Sequence, residues 1–539
     1  METDLKLESS LWVGNKRYRA VLTGWHFNWT EVDKKNRDNQ TISVPVAEVV
    51  GVEEGRVEIL PQKSVEDTDK DFTVFYIKRS SSGGSYGLLW RLGRTQFSCP
   101  SRVLRDQWTK HLRTALKTHS PLRPHRLLVF INPFGGKKKG RKIYHSLVAP
   151  LFELAGISSH VIVTERANQA RDHLLKKDLT GFDGVVCVGG DGMFSEILHG
   201  LIGRTQQEAG LCENDPAVTL QPCPLHIGII PAGSTDCVCY ATVGVIDPVT
   251  SALHIIVGDS QPLDVGSVHQ ASALVHYSVS LLGYGFYGDV LAESEKHRWM
   301  GPLRYDYSGT MVYLSNRSYA GIVQYLPADP VLSSPRDRTR CLSGTFLNPA
   351  SSLSLSLSLS LSLICPGEWV TVEGRFRCVS LTCMSSSCPK SPLGLSPSAH
   401  LADGTGDLIL VWDTHPLGFL KFLYRHTSTE DQFDLPFVEV HRVKAVRFSL
   451  PSKRGTGRDL TNEQKTTTPF LCGLCCSKAP AVSVWNCDGE ILPFTEILCR
   501  IHGQLVRLYA RGIEDGAAVH NCSEENDQFE RTSFSNGLA

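Results

Sequence analysis

The feature of this chain that most restricts its fold is a short apolar strand that runs into a glycine turn. Residues 185–188 are apolar, Gly-Gly-Asp-Gly follows at 189–192, and an apolar helical face is predicted from Met193 to Leu201. Such a strand, turn and helix N-terminus can cradle phosphate, because free backbone N–H groups and the helix dipole point at one place. Phosphates would repel Asp191 unless it binds Mg²⁺ or accepts a proton. The segment therefore favours phosphoryl transfer over an ordinary tight turn of an α/β protein.

Two other apolar runs end in the same way. Residues 126–131 lead into Asn-Pro-Phe-Gly-Gly and a lysine cluster at 132–140, and residues 226–230 lead into Pro-Ala-Gly-Ser-Thr-Asp at 231–236. We expect Gly233 to approach a ligand closely. Glycine turns at several strand ends predict a parallel sheet with its ligand site at the carboxyl edge. None of the three matches a Walker P-loop or a dinucleotide-binding fingerprint.

Together these motifs resemble the catalytic domain of the diacylglycerol kinase family, which sphingosine and ceramide kinases share. Further segments strengthen the resemblance, at residues 163–170, 282–289, 293–299 and 485–490. The resemblance implies a lipid kinase that uses ATP and Mg²⁺, leaves room for Ca²⁺ as an activator, and has ceramide in membranes as the expected acceptor. Sphingosine or diacylglycerol is the alternative acceptor. A non-catalytic membrane-binding adaptor is the alternative of another class, although it predicts decay of the phosphate loops.

The expected fold class is multidomain, with a pleckstrin-homology-like β-barrel followed by a two-domain lipid kinase core. The core combines an α/β nucleotide domain with an antiparallel β-sandwich domain. The predicted units are a membrane-targeting domain at 1–120, a nucleotide-binding catalytic domain at 125–260, a lipid-binding domain at 261–515 and a disordered tail at 516–539. A Ser-Leu repeat makes 341–366 a low-complexity insertion, because it specifies no single register.

The resemblance also assigns the site residues. Asp191 is expected to be the general base for the lipid hydroxyl, or else to orient Mg²⁺ or that hydroxyl. The residues expected to bind nucleotide are Asn132, Pro133, Phe134, Thr164, Glu165, Arg166, Ala167, Asn168, Glu196, Gly233, Ser234, Thr235, Arg298, Arg304, Asp488, Gly489 and Glu490. The residues expected to bind the acceptor are Gly189, Gly190, Asp191, Gly192 and Asp289. No metal ligand set is predicted.

Charge and cysteine content limit the partners and the compartment. The chain has 55 Lys and Arg residues and 55 Asp and Glu residues, so no overall positive charge attracts it to nucleic acid. Nucleic acid is therefore not expected as a partner. The N-terminus lacks an apolar signal region, and 17 cysteines fit reduced thiols. We therefore expect a cytoplasmic protein, and the resemblance implies that it is peripheral on Golgi and plasma membranes.

Three local features predict contacts outside the catalytic loops. A basic hairpin turn is predicted at Lys16, Arg17 and Arg19. Its cations are either simply solvated, or they allow residues 1–120 to bind anionic lipids or phosphoinositides. Residues 417–433 include a basic amphipathic stretch that predicts a calmodulin target, a membrane-facing helix or a packed edge. A cluster of four cysteines is interpreted as structural thiols and not as a metal site: Cys472, Cys475, Cys476 and Cys487.

Overall fold

The computed structural model describes residues 5–32, 41–55, 68–80, 88–301, 303–328, 335, 368–428, 430–451 and 482–513. The low-complexity segment at 341–366, the tail at 516–539 and the cysteines Cys472, Cys475 and Cys476 therefore lie outside the described residues.

The N-terminal part is a seven-stranded antiparallel sheet covered by one helix, which confirms the pleckstrin-homology-like barrel. The strand order is β4-β3-β2-β1-β7-β6-β5. The elements are β1 (Leu5–Val13), β2 (Lys16–Thr23), β3 (His26–Glu31), β4 (Thr41–Pro45), β5 (Val49–Glu54), β6 (Asp71–Ser80), β7 (Leu89–Ser98) and α1 (Arg102–His119).

Helix α1 covers the sheet with one apolar face. Ser101 caps it by accepting a hydrogen bond from the Leu104 N–H at 3.3 Å. Trp108 and Leu112 are buried against the sheet. Val103, in the first turn, is 67% exposed.

The interpretation of the basic segment as a turn is wrong. The turn is formed by Gly14 and Asn15, and Lys16 to Arg19 already belong to β2. Arg19 pairs with Glu8 at 2.6 Å across the strands. Lys16 likewise pairs with the Glu31 carboxylate at 3.2 Å, so two of the three cations are partly neutralised.

Residues 126–257 form the α/β unit. Its four strands run parallel in the order β9-β8-β10-β11. The inner strands β8, β10 and β11 are largely buried, as their continuous apolar runs require, whereas the edge strand β9 is partly exposed. The elements are β8 (Arg126–Ile131), α2 (Gly140–Ile143), α3 (Ala149–Leu154), β9 (Ser158–Val163), α4 (Gln169–Lys176), β10 (Gly184–Gly189), α5 (Asp191–Glu208), β11 (His226–Pro231), α6 (Cys237–Val243) and α7 (Pro248–Val257).

The second half of the core is β-rich and mainly antiparallel. Its elements are β12 (Ser260–Gln270), β13 (Ala273–Ser278), β14 (Leu282–Gly285), α8 (Phe286–Lys296), α9 (Leu303–Ser315), β15 (Tyr319–Pro327), β16 (Val370–Thr382), β17 (Gly406–Trp412), α10 (Pro416–Arg425), β18 (Val438–Ser449), β19 (Trp485–Cys487), β20 (Glu490–Leu492) and β21 (Ile497–Tyr509). The late strand β21 pairs antiparallel with β12 and β18 and parallel with β11, so one continuous sheet joins the two halves.

A buried tryptophan joins the N-terminal barrel to the α/β unit. Trp90 of β7 is 0% exposed and stacks on His254 of α7 with ring centroids 3.9 Å apart. The guanidinium groups of Arg79 and Arg511 lie over the same indole at 5.1 and 5.0 Å. Both cations also bond the buried Glu48 carboxylate, each at 2.7 Å. The barrel is therefore packed into the core of its neighbour by stacking and buried charge.

No single helix of the described chain is long and apolar enough to cross a bilayer. One pair of helices that is bent by 58°, Cys237–Val243 with Pro248–Val257, has the length and composition of a membrane span, but only by those two criteria.

Candidate active site

Four loops meet at the carboxyl edge of the parallel sheet. They follow β8 (residues 132–139), β9 (164–168), β10 (190) and β11 (232–236), so each predicted loop lies at the edge where open α/β folds bind ligands.

Asp191 occupies the first turn of α5 and reaches across to α6. Its carboxylate accepts hydrogen bonds from the backbone N–H groups of Cys237 and Val238, both at 3.1 Å. Burial raises the pKa of Asp191, while these two donors oppose the rise. A carboxylate with a raised pKa is a stronger base, so this side chain is better suited than an exposed aspartate to accept a proton.

The glycine loops pack closely against one another. A Cβ atom on Gly190 would lie 2.9 Å from the Gly233 Cα atom, and one on Gly136 would lie 2.6 Å from the carbonyl oxygens of Ala232 and Gly233. The close approach expected of Gly233 is therefore an approach to a neighbouring loop. Gly192 has open space where its Cβ would be, so it is the glycine that leaves room for a ligand.

Asp236 is a site residue that the sequence reasoning missed. It is buried, adopts a left-handed φ of 51°, and accepts the Gly233 N–H at 3.0 Å. Burial and the nearby Asp191 carboxylate raise the pKa of Asp236 to about 7. The only sequence signal was an acidic residue at the end of the third glycine motif.

The first loop is shaped by its own side chain. The Asn132 Oδ1 atom accepts hydrogen bonds from the N–H groups of Phe134 and Gly135 at 2.9 and 3.1 Å. This turn leaves Phe134 63% exposed beside Pro133. On the third loop, Ser234 and Thr235 are also exposed, so the aromatic ring and both hydroxyls are available to a ligand.

Glu196 links α5 to the second loop. The N–H groups of Asn168 and Ala170 donate to its carboxylate, whereas Oε2 is buried without a hydrogen-bond partner. Burial raises the pKa of Glu196, and the negative charge of Glu490 adds to the rise. Glu490 therefore belongs to the same group of side chains, although it is almost 300 residues away in the sequence.

The rest of the second loop is held mainly by local contacts. Thr164 is buried and donates to the Ile131 carbonyl at 3.3 Å, while the Glu165 N–H donates to the Gln169 side chain at 2.7 Å. Arg166 donates to the Ala167 carbonyl at 3.1 Å and also pairs with an acidic side chain of α4.

The late motif divides into an anchor and a site residue. The Asp488 carboxylate accepts the N–H groups of Val279, Ser280 and Leu281 at 2.7 to 3.0 Å, so these bonds occupy it. Glu490 pairs instead with Nε2 of His276 at 3.4 Å, and this histidine lowers the pKa of Glu490. The exposed Gly489 between Asp488 and Glu490 has a left-handed φ of 91°, which lets the motif turn sharply.

Arg298 and Arg304 lie with α8 and α9. Both pair with Glu295, Arg304 at 3.2 Å. Their hydrogen bonds and ion pairs stay within this region, so within the described chain neither arginine is joined to the glycine loops.

Asp289 lies in the first turn of α8 as a buried carboxylate. Tyr319 and Ser483 donate to it, each at 2.5 Å, and burial raises its pKa despite these bonds. The carboxylate lines a small pocket whose other lining residues are partly apolar and partly polar: Phe286, Val312, Tyr313 and Phe419, and Asn316, Arg317 and Arg377. Such a mixed lining offers partners for the polar end of an otherwise apolar molecule.

The structure does not contain a ready-made metal centre in its described residues, since no three His, Cys, Asp or Glu side chains there are arranged to hold one. Cys487 is buried and lies 3.3 Å from His276. Mg²⁺ bound through nucleotide phosphates needs only one or two carboxylates. The unpartnered Oε2 of Glu196 fits that requirement.

Comparison with known proteins gives one consistent family. Residues 7–112 match the ceramide kinase PH domain, residues 126–268 the diacylglycerol kinase catalytic domain, and residues 332–524 the ceramide kinase C-terminal domain. The chain is 46% identical to ceramide kinase of Homo sapiens over 94% of this chain and 97% of that one. It is 45% identical to ceramide kinase of Mus musculus over 94% and 98%.

A solved diacylglycerol kinase from Bacillus anthracis superposes with a TM-score of 0.43 at 13% identity, covering 72% of this chain and 97% of that one.

Proposed function

The chain belongs to the ceramide kinase family and is a lipid kinase that phosphorylates ceramide, and we propose that Asp191 is the general base of this reaction. The proposal is supported most directly by one observation: Asp191 lies where three glycine loops meet, with its pKa raised by burial.

The reaction needs a base because the primary hydroxyl of ceramide has a pKa far above 7. As the hydroxyl oxygen bonds to the γ-phosphorus of ATP, its proton passes to the Asp191 carboxylate. The bond from the γ-phosphorus to the bridging oxygen breaks, and ADP leaves with that electron pair. The products are ceramide 1-phosphate and ADP.

The kinase family implies ATP and a divalent metal, and we propose Mg²⁺ for that metal. Glu196, with Glu490 beside it, would hold the ion, which when bound neutralises charge on the transferring phosphoryl group. The exposed Phe134, Ser234 and Thr235 would contact the nucleotide. Activation by Ca²⁺ stays a prediction from the resemblance.

A direct test is to incubate the purified chain with radiolabelled ATP and, in parallel, ceramide, sphingosine or diacylglycerol. We expect label in the ceramide product above all. Equal or greater labelling of sphingosine or diacylglycerol would contradict the acceptor assignment.

Replacing Asp236 with asparagine should remove an inflection near pH 7 from the pH–rate profile. In the wild type, Asp236 takes up a proton as the pH falls through about 7, and Asp191 then loses the neighbouring negative charge that makes it a stronger base. Asparagine keeps the Gly233 bond but carries no charge at any pH, so this step should not occur in the variant. Kinase rates measured across pH would test this, and an inflection near pH 7 that persists in the variant would contradict the coupling.

Replacing Asp289 with alanine should raise the KM for ceramide roughly ten-fold while leaving the KM for ATP unchanged. The change removes a buried carboxylate that we propose holds the ceramide head group. Glu439→Ala, at an exposed carboxylate of β18, is the matched control. An equal rise in both KM values would instead indicate general damage to the fold.

The remaining partner and location assignments are proposals. Residues 1–120 would bind anionic lipid or phosphoinositide, and the protein would be peripheral on Golgi and plasma membranes. Imaging a fluorescent fusion against organelle markers tests the location. Calmodulin binding near 417–433 also stays a prediction, and the burial of Phe419 and Phe422 is unfavourable to it, since a helix bound in a groove needs such anchors outside.

A further inference from the structure

Two neighbouring helices carry apolar side chains on their outer faces. The Tyr313 hydroxyl of α9 donates to the Pro416 carbonyl at 3.3 Å, so the last turns of α9 lie against the start of α10. Together with the turn before α9 they form what we call the α9–α10 surface, whose exposed apolar members are Trp299, Leu303, Tyr307, Met311, Leu314, Leu417, Leu420 and Tyr424.

These side chains are not part of the core. Leu303, Tyr307, Met311 and Leu314 recur every three or four residues and form a stripe along α9, while the opposite side of that helix buries Val312. On α10, Phe419 and Phe422 are buried in the same way, and Leu417 is 73% exposed. Each helix thus has a second apolar face with nothing from the described chain covering it.

We propose that the α9–α10 surface is the face by which this protein docks on the lipid bilayer that contains its acceptor. The docking itself is argued from the surface, and only the identity of the acceptor rests on the proposed function.

The chemistry of the surface matches a membrane interface. Trp299 is 82% exposed, and Trp and Tyr are the residues that settle at the level of lipid headgroups. Exposed cations surround the apolar stripes: Lys296, Arg298 and Lys390 have side chains 68%, 73% and 78% exposed. The acids that pair with Lys296 and Arg298 are only 30% and 28% exposed, whereas Asp306, which pairs with Lys390, is 62% exposed. Around Lys296 and Arg298 the positive charges therefore project further than the acids, as an anionic bilayer would favour.

Helix α10 repeats this pattern within one element. Lys421 lies between the exposed Leu420 and Tyr424, and the helix contains no acidic residue. Apolar residues interleaved with cations are typical of helices that lie in the plane of a membrane surface.

The surface is also continuous with the pocket that holds Asp289. Val312 and Tyr313 of α9 and Phe419 of α10 line that pocket from beneath the same two helices. A bilayer under this face would therefore lie next to the Asp289 carboxylate that we propose holds the acceptor. Continuity of an apolar face with a buried polar anchor favours a bilayer over a soluble protein partner.

The test uses the full chain and vesicles of phosphatidylcholine and phosphatidylserine. Leu314→Glu and Leu417→Glu should each weaken cosedimentation with vesicles by about ten-fold or more, because each removes a Leu from the apolar contact and adds a charge. Activity on vesicle-borne long-chain ceramide should fall in parallel, while activity on a water-soluble short-chain ceramide should be unchanged. Leu147→Glu, at an exposed leucine of the nucleotide domain, is the control.

A second measurement does not depend on the charged variants folding. In the unaltered chain, brominated lipid should quench tryptophan fluorescence, and Trp299→Phe should remove most of that quenching. Unchanged quenching in Trp299→Phe, or wild-type vesicle binding by both glutamate variants, would overturn the proposal. It would also be overturned if the leucine changes abolished only calmodulin binding or self-association. If the unaltered chain binds vesicles but does not phosphorylate ceramide, and both glutamate changes weaken that binding, the proposed function alone would be contradicted.

Discussion

Replacing Asp191 with asparagine is expected to lower kcat for ceramide by about 10²- to 10⁴-fold, the usual loss when a general base is removed. The amide has nearly the same shape, but it cannot accept the hydroxyl proton at neutral pH. Steady-state kinetics with vesicle-borne ceramide and ATP would measure the loss. The KM for ATP should change little, because the carboxylate is bonded to α6 and not to the loops expected to bind the nucleotide.

The change at Asp191 also has a structural part that must be separated from catalysis. Asparagine retains one acceptor for the N–H groups of Cys237 and Val238, so the lost hydrogen bond should cost about 1 kcal/mol of unfolding free energy. Thermal unfolding of both proteins would show this. Near-normal turnover by a folded Asp191→Asn protein would rule out the assignment of this residue as the base.

Replacing Trp90 with alanine should destabilise the whole protein by about 3–5 kcal/mol, the range for truncating a buried aromatic side chain. The indole is stacked between His254 and the guanidinium groups of Arg79 and Arg511, and its removal leaves a cavity between the barrel and the α/β unit. Chemical denaturation monitored by circular dichroism would measure the loss. The control is Trp25→Ala, since Trp25 is 69% exposed in the same barrel.

The same interface affects how a loss of activity after deletion of residues 1–120 is interpreted. Such a deletion exposes the apolar surface of α7 around His254 and removes the Glu48 partner of Arg511. We therefore expect the shortened chain to be unstable, so that loss of activity would not by itself demonstrate a targeting role. Equal stability of Trp90→Ala and the wild type would refute this account and leave the barrel as a separable domain.

The sequence predicted most of the elements because their signals are local. Residues 126–131 were predicted as a strand and form β8, and the apolar run at 185–188 forms most of β10. The helical face of Phe194, Ile197 and Leu201 is buried as expected. The prediction of a basic turn at Lys16 to Arg19 was wrong because four residues are too few to distinguish a charged turn from an alternating strand. The pairing of Arg19 with Glu8 and of Lys16 with Glu31 shows that this segment is a strand.

The sequence by itself determined the fold class, the ordered glycine loops and the position of Asp191 at the start of a helix, since each depends on residues close together in the chain. Only the tertiary structure decided which groups meet. It placed the Asp236 carboxylate near that of Asp191, brought Glu490 near Glu196, and placed the end of α9 against the start of α10. These contacts depend on how distant segments pack, and burial, which raises the pKa of a carboxyl group, exists only once that packing is complete.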